Sequence, residues 1–555
     1  GASGRGLPTL PSTMHGFQEA LALLLLTTFL SVVVRWITVP PPITYAFGGA
    51  VCALLPHFPH FGLNPDFFFL CFLPPLLFAD GWLMPLREFA KAKRPIFLLA
   101  VGLVTCTTLV VGYVAHALIP QLPLAMAFAL GAIISPTDAV AVSAVTERLK
   151  VPTRITTVLN GESLMNDATG LVAFKFALAA MALGTFSLKG AVVSFAVVAV
   201  GGLAAGLVVA FGVGKLRDLL IRTHNADPMI ELTLSLLTPY AAYLAGEELE
   251  VSGVLAVVAA GLYSGWRDPV RMDAETRQTT WTVWSTVLFW LNGLAFTLLG
   301  LQFPHLLHNV EGEHSTLQLL GLIAVVSAAA ILTRIAWFFP AGYLPFLLSK
   351  RVRETEKPPS WQVLLVGGWA GMRGTVTLAA ALSIPELLPN EQPWPERDLV
   401  IFLSFGLIAV TLLAQGTTLE WLIRKLGLRG DGLVEKEEHL ARTVAVQAGL
   451  DRLRGLAEHP LGQTEIAALR LVIAEYEERL AELGSEGESK SKARTRLHAE
   501  RRFRFAALEA ERKAVDDLWK QDVIMDEVHR PLQALLDSEE AMLRAAHPTD
   551  EPLSL

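Results

Sequence analysis

The chain has 555 residues, 52% of them hydrophobic and only 17% charged, with a mean hydropathy of +0.46. A soluble globular protein carries about 25% charged residues, so a large part of this one lies in lipid. The formal net charge of −7 argues against nucleic acid as a partner. The three cysteines, Cys52, Cys71 and Cys106, fall in apolar runs without CxxC or His company, which points to packing and not to disulfides or zinc.

Residues 1–13 are small and polar, precede Met14, and read as a vector-derived or disordered leader without the basic region of a secretory signal. At about 20 apolar residues per span, thirteen membrane segments follow over residues 14–426. They run near 17–36, 42–55, 66–84, 95–118, 124–145, 155–183, 190–213, 229–245, 251–265, 279–303, 316–348 (broken at Pro340), 361–384 and 399–423. Alternate loops carry the basic residues: Arg35; Arg87 to Arg94; Arg148 to Arg154; Lys215, Arg217 and Arg222; Arg267 to Arg277; and Lys350 to Lys357. The loops between them hold only Lys189 and Arg397. That alternation predicts an external N-terminus and a cytoplasmic C-terminus. Residues 427–555 hold half of all Asp and Glu, with apolar positions at helical spacing, and read as a soluble helical domain with a flexible break at GSEGESKSKA. It is either a packing or dimerising tail or a regulatory sensor.

A carboxylate in mid-membrane costs about 2.5–3.5 kcal/mol on insertion scales and marks function by default. Asp138 lies in the fifth span within Ser135-Pro136-Thr137-Asp138, where proline removes a backbone donor and interrupts the helix. The twelfth span has a matching weakness in GGWAGMRG, with Arg373 in its middle. Two interrupted spans at corresponding places in two inverted halves point to a transporter's midplane site. The fifth and twelfth spans correspond if spans one to six repeat as eight to thirteen. In the sixth span, NGESLMND puts Ser163 on one helix face with Asn166 and Asp167. Hydroxyl, amide and carboxylate oxygens suit a hard cation such as Na+. Glu162 is expected to pair with Arg373 as a structural ion pair. Asp167 is expected to exchange its proton for a metal cation, which couples two ion flows by competition at one carboxylate. Asp80 is either a third-span ligand or interfacial, Lys175 either snorkels outward or tunes the site, and Arg334 reads as structural. His57 and His60 form an outer-face pair with little signal.

The motifs FLPPLLFADGW, SPTDAVAV, NGESLMND and GGWAGMRG, in this order, resemble the monovalent cation:proton antiporters of the NhaP/NHE type over residues 17–426. The resemblance implies an all-α integral membrane protein of thirteen transmembrane helices, with inverted six-helix repeats, crossed discontinuous helices (an NhaA-like antiporter fold) and a soluble helical C-terminal domain. It implies a bacterial cell-membrane homodimer whose core moves as an elevator, serving pH and sodium homeostasis without a cofactor, Na+ and H+ being its cargo. By motif position, Asp167 binds the ion and proton, Asn166 and Ser163 stand beside it, Thr137 and Asp138 complete the Na+ site, and Glu162 pairs with Arg373. The Asn166–Asp167 pair is the form found in electroneutral exchangers. Many relatives carry an acid where this chain has Ala79, and Asp80 is one residue later, about 100° round the helix. Two other readings are a cation- or proton-conducting channel and an intramembrane aspartyl enzyme using Asp138 and Asp167. Obligatory counterflow without net current separates the exchanger from the channel, and the absence of a GxGD-like pair weighs against the enzyme.

Overall fold

The computed structural model describes residues 12–37, 39–55, 65–149, 151–183, 188–223, 227–310, 315–355, 357–388, 392–428, 430, 432–457, 463–484, 488–521 and 523–545. His57 and His60 lie outside them, as do residues 1–11 of the expected leader. The chain divides into two compact units, Gly1–Asp431 and Gly432–Leu555.

In the first unit the hydropathic segments are helical. They are α1 (Ser12–Val34), α2 (Pro41–Ala53), α3 (Pro65–Leu83), α4 (Leu86–Leu118), α5 (Leu124–Ile133), α6 (Ala139–Arg148), α7 (Thr153–Leu183) and α8 (Leu188–Arg222). After them come α9 (Pro228–Glu248), α10 (Gly253–Arg271), α11 (Ala274–Val310), α12 (Thr316–Leu348), α13 (Lys350–Thr355), α14 (Trp361–Trp369), α15 (Thr375–Leu382) and α16 (Arg397–Lys425). Among the described residues, six helices are individually long and apolar enough to cross a membrane. α12 runs unbroken through Pro340 and Pro345, against the break expected there. Each proline costs one backbone bond, and packed neighbours can re-satisfy the freed group.

The helices pack in two groups. One holds α4, α5, α7, α12 and α14, and the other joins α2 to α11, α3 to α10 and α8 to α10. Small residues set the closest approaches: a Cβ on Gly261 of α10 would sit 2.5 Å from the Phe78 carbonyl of α3. Two π-type turns, Leu98–Leu103 in α4 and Thr411–Gln415 in α16, widen otherwise regular helices. At the first, Trp337 Nε1 donates to the Leu98 carbonyl (3.1 Å) and Thr169 Oγ1 to that of Ala100 (2.6 Å). Side chains from α12 and α7 thereby take up carbonyls of the widened turn.

The second unit consists of two helical pairs. α17 (Leu433–Leu456) packs on α18 (Gln463–Gly484), with Arg454–Glu477 at 2.7 Å. α19 (Glu488–Lys520) packs on α20 (Asp526–Ala545), where Arg512 bridges Asp537 (2.6 Å) and Glu540 (2.8 Å). Helix α19 already begins at Glu488, inside the stretch GSEGESKSKA where a flexible break is expected.

Candidate functional site

The site forms where two helix breaks meet. Between α5 and α6 the chain leaves helical geometry at Ser135–Asp138, where Pro136 has no N–H to give. Between α14 and α15 it does so over Ala370–Gly374. The breaks are bonded to each other: the Asp138 N–H donates to the Met372 carbonyl at 2.7 Å, and Arg373 Nε donates to the Ile134 carbonyl at 3.1 Å. Asp138 also caps α6, accepting the Val140 N–H on Oδ1 at 2.8 Å, while its buried Oδ2 has no partner among the described residues. Gly374 faces that oxygen so closely that a Cβ there would overlap it.

Helix α7 fastens the first break. Ser163 Oγ donates to the Thr137 carbonyl (2.6 Å) and accepts the Ala139 N–H (3.1 Å). Asn166 Nδ2 donates to Thr137 Oγ1 at 2.8 Å, and that hydroxyl lies 3.5 Å from Glu162 Oε1. Ser163, Asn166 and Thr137 thus hold the unwound backbone, a role that oxygen-donor chemistry alone does not reveal.

The expected Glu162–Arg373 pair is corrected. Glu162 is fully buried and pairs with Arg334 of α12 through both carboxylate oxygens, Oε2 accepting from Nη2 at 2.9 Å. Arg334 also donates to the carbonyls of Gly367 (3.3 Å) and Ala370 (3.2 Å) at the end of α14. Arg373 instead serves the carbonyls of Ile134 and Gly371, and its own N–H donates to Thr411 Oγ1 at 3.3 Å. The physical reason is the breaks themselves: helix C-termini leave carbonyls unpaired and gather partial negative charge, which a guanidinium relieves. Each arginine serves such carbonyls, and Glu162 falls to Arg334.

Asp167, Asp138 and Asp80 line one cavity of about 20 Å³ together with Thr137, Ser163 and Asn292, room for about one water-sized particle. Thr375 and Thr377 close it from α15. Asp80 therefore belongs to the site region despite its shifted place in the motif. Lys175 does not: it is exposed and pairs with Glu247 of α9 at 3.2 Å. Among the described residues no three acidic, His or Cys side chains gather tightly enough to chelate a metal. A cation here would be shared between carboxylates and neutral oxygens. Sequence reasoning missed Asn292, although a lone amide inside the apolar FWLNGLAF was a usable signal. It also missed Thr411, whose role depends on how α16 is rotated.

The family described as sodium/hydrogen exchanger, transmembrane, matches residues 21–425. The chain is 37% identical over 527 residues to the "Sodium, potassium, lithium and rubidium/H(+) antiporter" of Bacillus subtilis, an alignment covering 94% of this chain and 77% of that protein. It is 35% identical to the "Uncharacterized Na(+)/H(+) exchanger YjcE" of Escherichia coli over 96% of this chain and 99% of that one. Its fold matches that of the sodium proton antiporter MjNhaP1 from Methanocaldococcus jannaschii, with a TM-score of 0.59 at 18% identity, covering 75% of this chain and 99% of that one. The chain belongs to the sodium/hydrogen exchanger family.

Proposed function

We propose that the protein is a secondary active antiporter exchanging monovalent cations for protons, with Asp167 carrying one or the other in turn. Na+ is the first candidate cargo, and K+ and Li+ follow from the name of the Bacillus relative. One observation carries this reading: three carboxylates and several neutral oxygens line a small cavity at the meeting of two broken helices. Within it, Asp167 and Asp138 supply charge, Thr137 and Ser163 supply neutral oxygens, and Asp80 is a further acidic contributor. The cavity walls support an elevator. Leu76, Leu77 and Asp80 come from α3 and Asn292 from α11, while the broken elements and α7 supply the rest. A sliding seam between two helix groups would expose the same residues to either side in turn. Thirteen spans with inverted repeats, an external N-terminus, a cytoplasmic C-terminal domain in a bacterial cell membrane and a homodimer complete the proposal. They rest on hydropathy, loop charge and family resemblance. Electroneutral one-for-one exchange rests on the Asn166–Asp167 pair, in which Asn166 is committed to Thr137.

The test is dequenching of a pH gradient in proteoliposomes on adding Na+, Li+ or K+. Wild-type protein should respond and Asp167→Asn should fall to the protein-free background. A cation response that survives in Asp167→Asn would remove that residue from the mechanism. If exchange is electroneutral, clamping the membrane potential at zero should leave its rate unchanged.

A further inference from the structure

A second cavity, of about 370 Å³, opens among α4, α7, α12 and α14 and shares no lining residue with the ion site. That volume falls within the usual range for small-molecule pockets, about 300–1,000 Å³. Its wall is apolar, with Leu99, Ile155, Leu159, Phe338 and Leu364 among the lining side chains. Three cations also line it, Arg94, Arg154 and Lys357, and each is exposed. Arg94 and Arg154 each also hold an interaction within the chain, so a bound phosphate would share their donors with it. All three belong to the basic loops that the charge alternation assigns to the cytoplasmic side. Next to it, sharing Arg94 and Pro345, an apolar groove of about 470 Å³ runs past Lys93, Phe97 and Leu98. Phe97 there is exposed.

We propose that this cavity binds an anionic phospholipid, its phosphate held by Arg94, Arg154 and Lys357, one acyl chain entering the cavity and the other lying along the groove. Charge complementarity selects an anion, and the apolar wall with its lateral groove selects one carrying hydrocarbon. Basic pockets between membrane helices on the cytoplasmic side suit such headgroups. The inner end of the cavity adjoins the supports of the ion site. Phe338 lies under the Arg334 guanidinium at 4.9 Å, Gly367 gives Arg334 a carbonyl, and Leu159 is one turn from Glu162. An occupying chain would press on the helices that position the ion pair, so the lipid is placed to set the exchange rate.

The experiment reads lipid retention, which does not depend on transport. Full-length protein is placed in nanodiscs of phosphatidylglycerol and phosphatidylcholine at about 1:4, then extracted and examined by native mass spectrometry. Wild-type protein should retain phosphatidylglycerol in preference to phosphatidylcholine. Neutralising the rim should lower retention about fivefold per side chain, on the order of a hundredfold for R94Q/R154Q/K357Q together. Val158→Phe, which narrows the cavity and keeps every charge, should lower it as well, with gel filtration reporting that each variant is folded. Equal retention in either kind of variant, or equal retention of the zwitterionic lipid, would overturn the proposal. So would displacement by millimolar inorganic phosphate, which would make the site one for a free anion.

Discussion

Arg334 and Glu162 are almost wholly withdrawn from solvent, so removing either alone strands the other's charge. Such a break costs about 3–5 kcal/mol, whereas replacing both members by apolar residues of similar volume is often close to neutral. In thermal unfolding, Glu162→Gln and Arg334→Met should each be strongly destabilising and the double variant less so than their sum. Coupling of Glu162 with Arg334 should exceed its coupling with Arg373, and the reverse order would reinstate Arg373 as partner. Gly374 offers a second test, because its missing side chain leaves the space that Asp138 Oδ2 occupies. Overpacking of this kind costs about 1–3 kcal/mol. Gly374→Ala should therefore reduce exchange about tenfold or more at normal expression, while Gly212→Ala, with no atom near its would-be Cβ, should change nothing. That the pairing partner of Glu162 was misjudged from sequence has a simple cause. Two arginines lie in apolar spans, Arg334 and Arg373, and the choice between them depends on helix rotation and on carbonyls freed by the breaks, neither of which is encoded locally.

At the level of elements, the interruptions were legible because backbone chemistry announces them: Pro136 lacks a donor, and four glycines in GGWAGMRG give no side-chain support to a helix. The π-type turns were not legible, since LLAVGL reads as any apolar helix. Their existence depends on partners from elsewhere. Trp337→Phe removes the donor to the Leu98 carbonyl, a loss of about 0.5–1.5 kcal/mol. Hydrogen exchange should then quicken at residues 98–103 while distant helices keep their protection; uniform protection would show that the turn holds without it. Pro340 teaches the converse, because a proline in a membrane helix does not dictate a break when packed neighbours can re-satisfy the freed backbone group.

Across the whole molecule, loop charge is a cruder guide than it looks. Arg217, counted with the basic loop residues, is buried and pairs with Asp268 at 2.9 Å, and Trp82 Nε1 donates to the same carboxylate at 3.3 Å. Its charge is spent inside the fold, so Lys215 and Arg222 carry that loop's contribution. The C-terminal unit has its own pH dependence. His529 bonds Asp516 at 2.9 Å and holds that carboxyl below the usual range, with Gln533 adding a second donor. Because folding lowers this value, the ionised form stabilises the α19–α20 pair above the unfolded value of about 4. That contribution disappears as the pH falls through the lower folded value. Arg544 and Arg512 depress Glu540 in the same direction. Hydrogen exchange in α19 and α20, corrected for intrinsic rates, should therefore accelerate below about pH 4. Asp516→Asn should flatten that acid response, and an unaltered profile would assign it to other carboxyls.

The bond between Glu162 and Arg334 spans 172 residues of chain. During synthesis at roughly 5–20 residues per second, the acid waits on the order of ten to thirty seconds for its partner to be made. Over that interval a ribosome-tethered chain would carry Glu162 without its partner, and residues 134–138 would lack the Met372 carbonyl that accepts the Asp138 N–H. Insertion of this protein is thus not a sequence of independent hydrophobic decisions. Its central acids are committed on credit, and premature termination before residue 334 should yield chains that membrane quality control removes quickly.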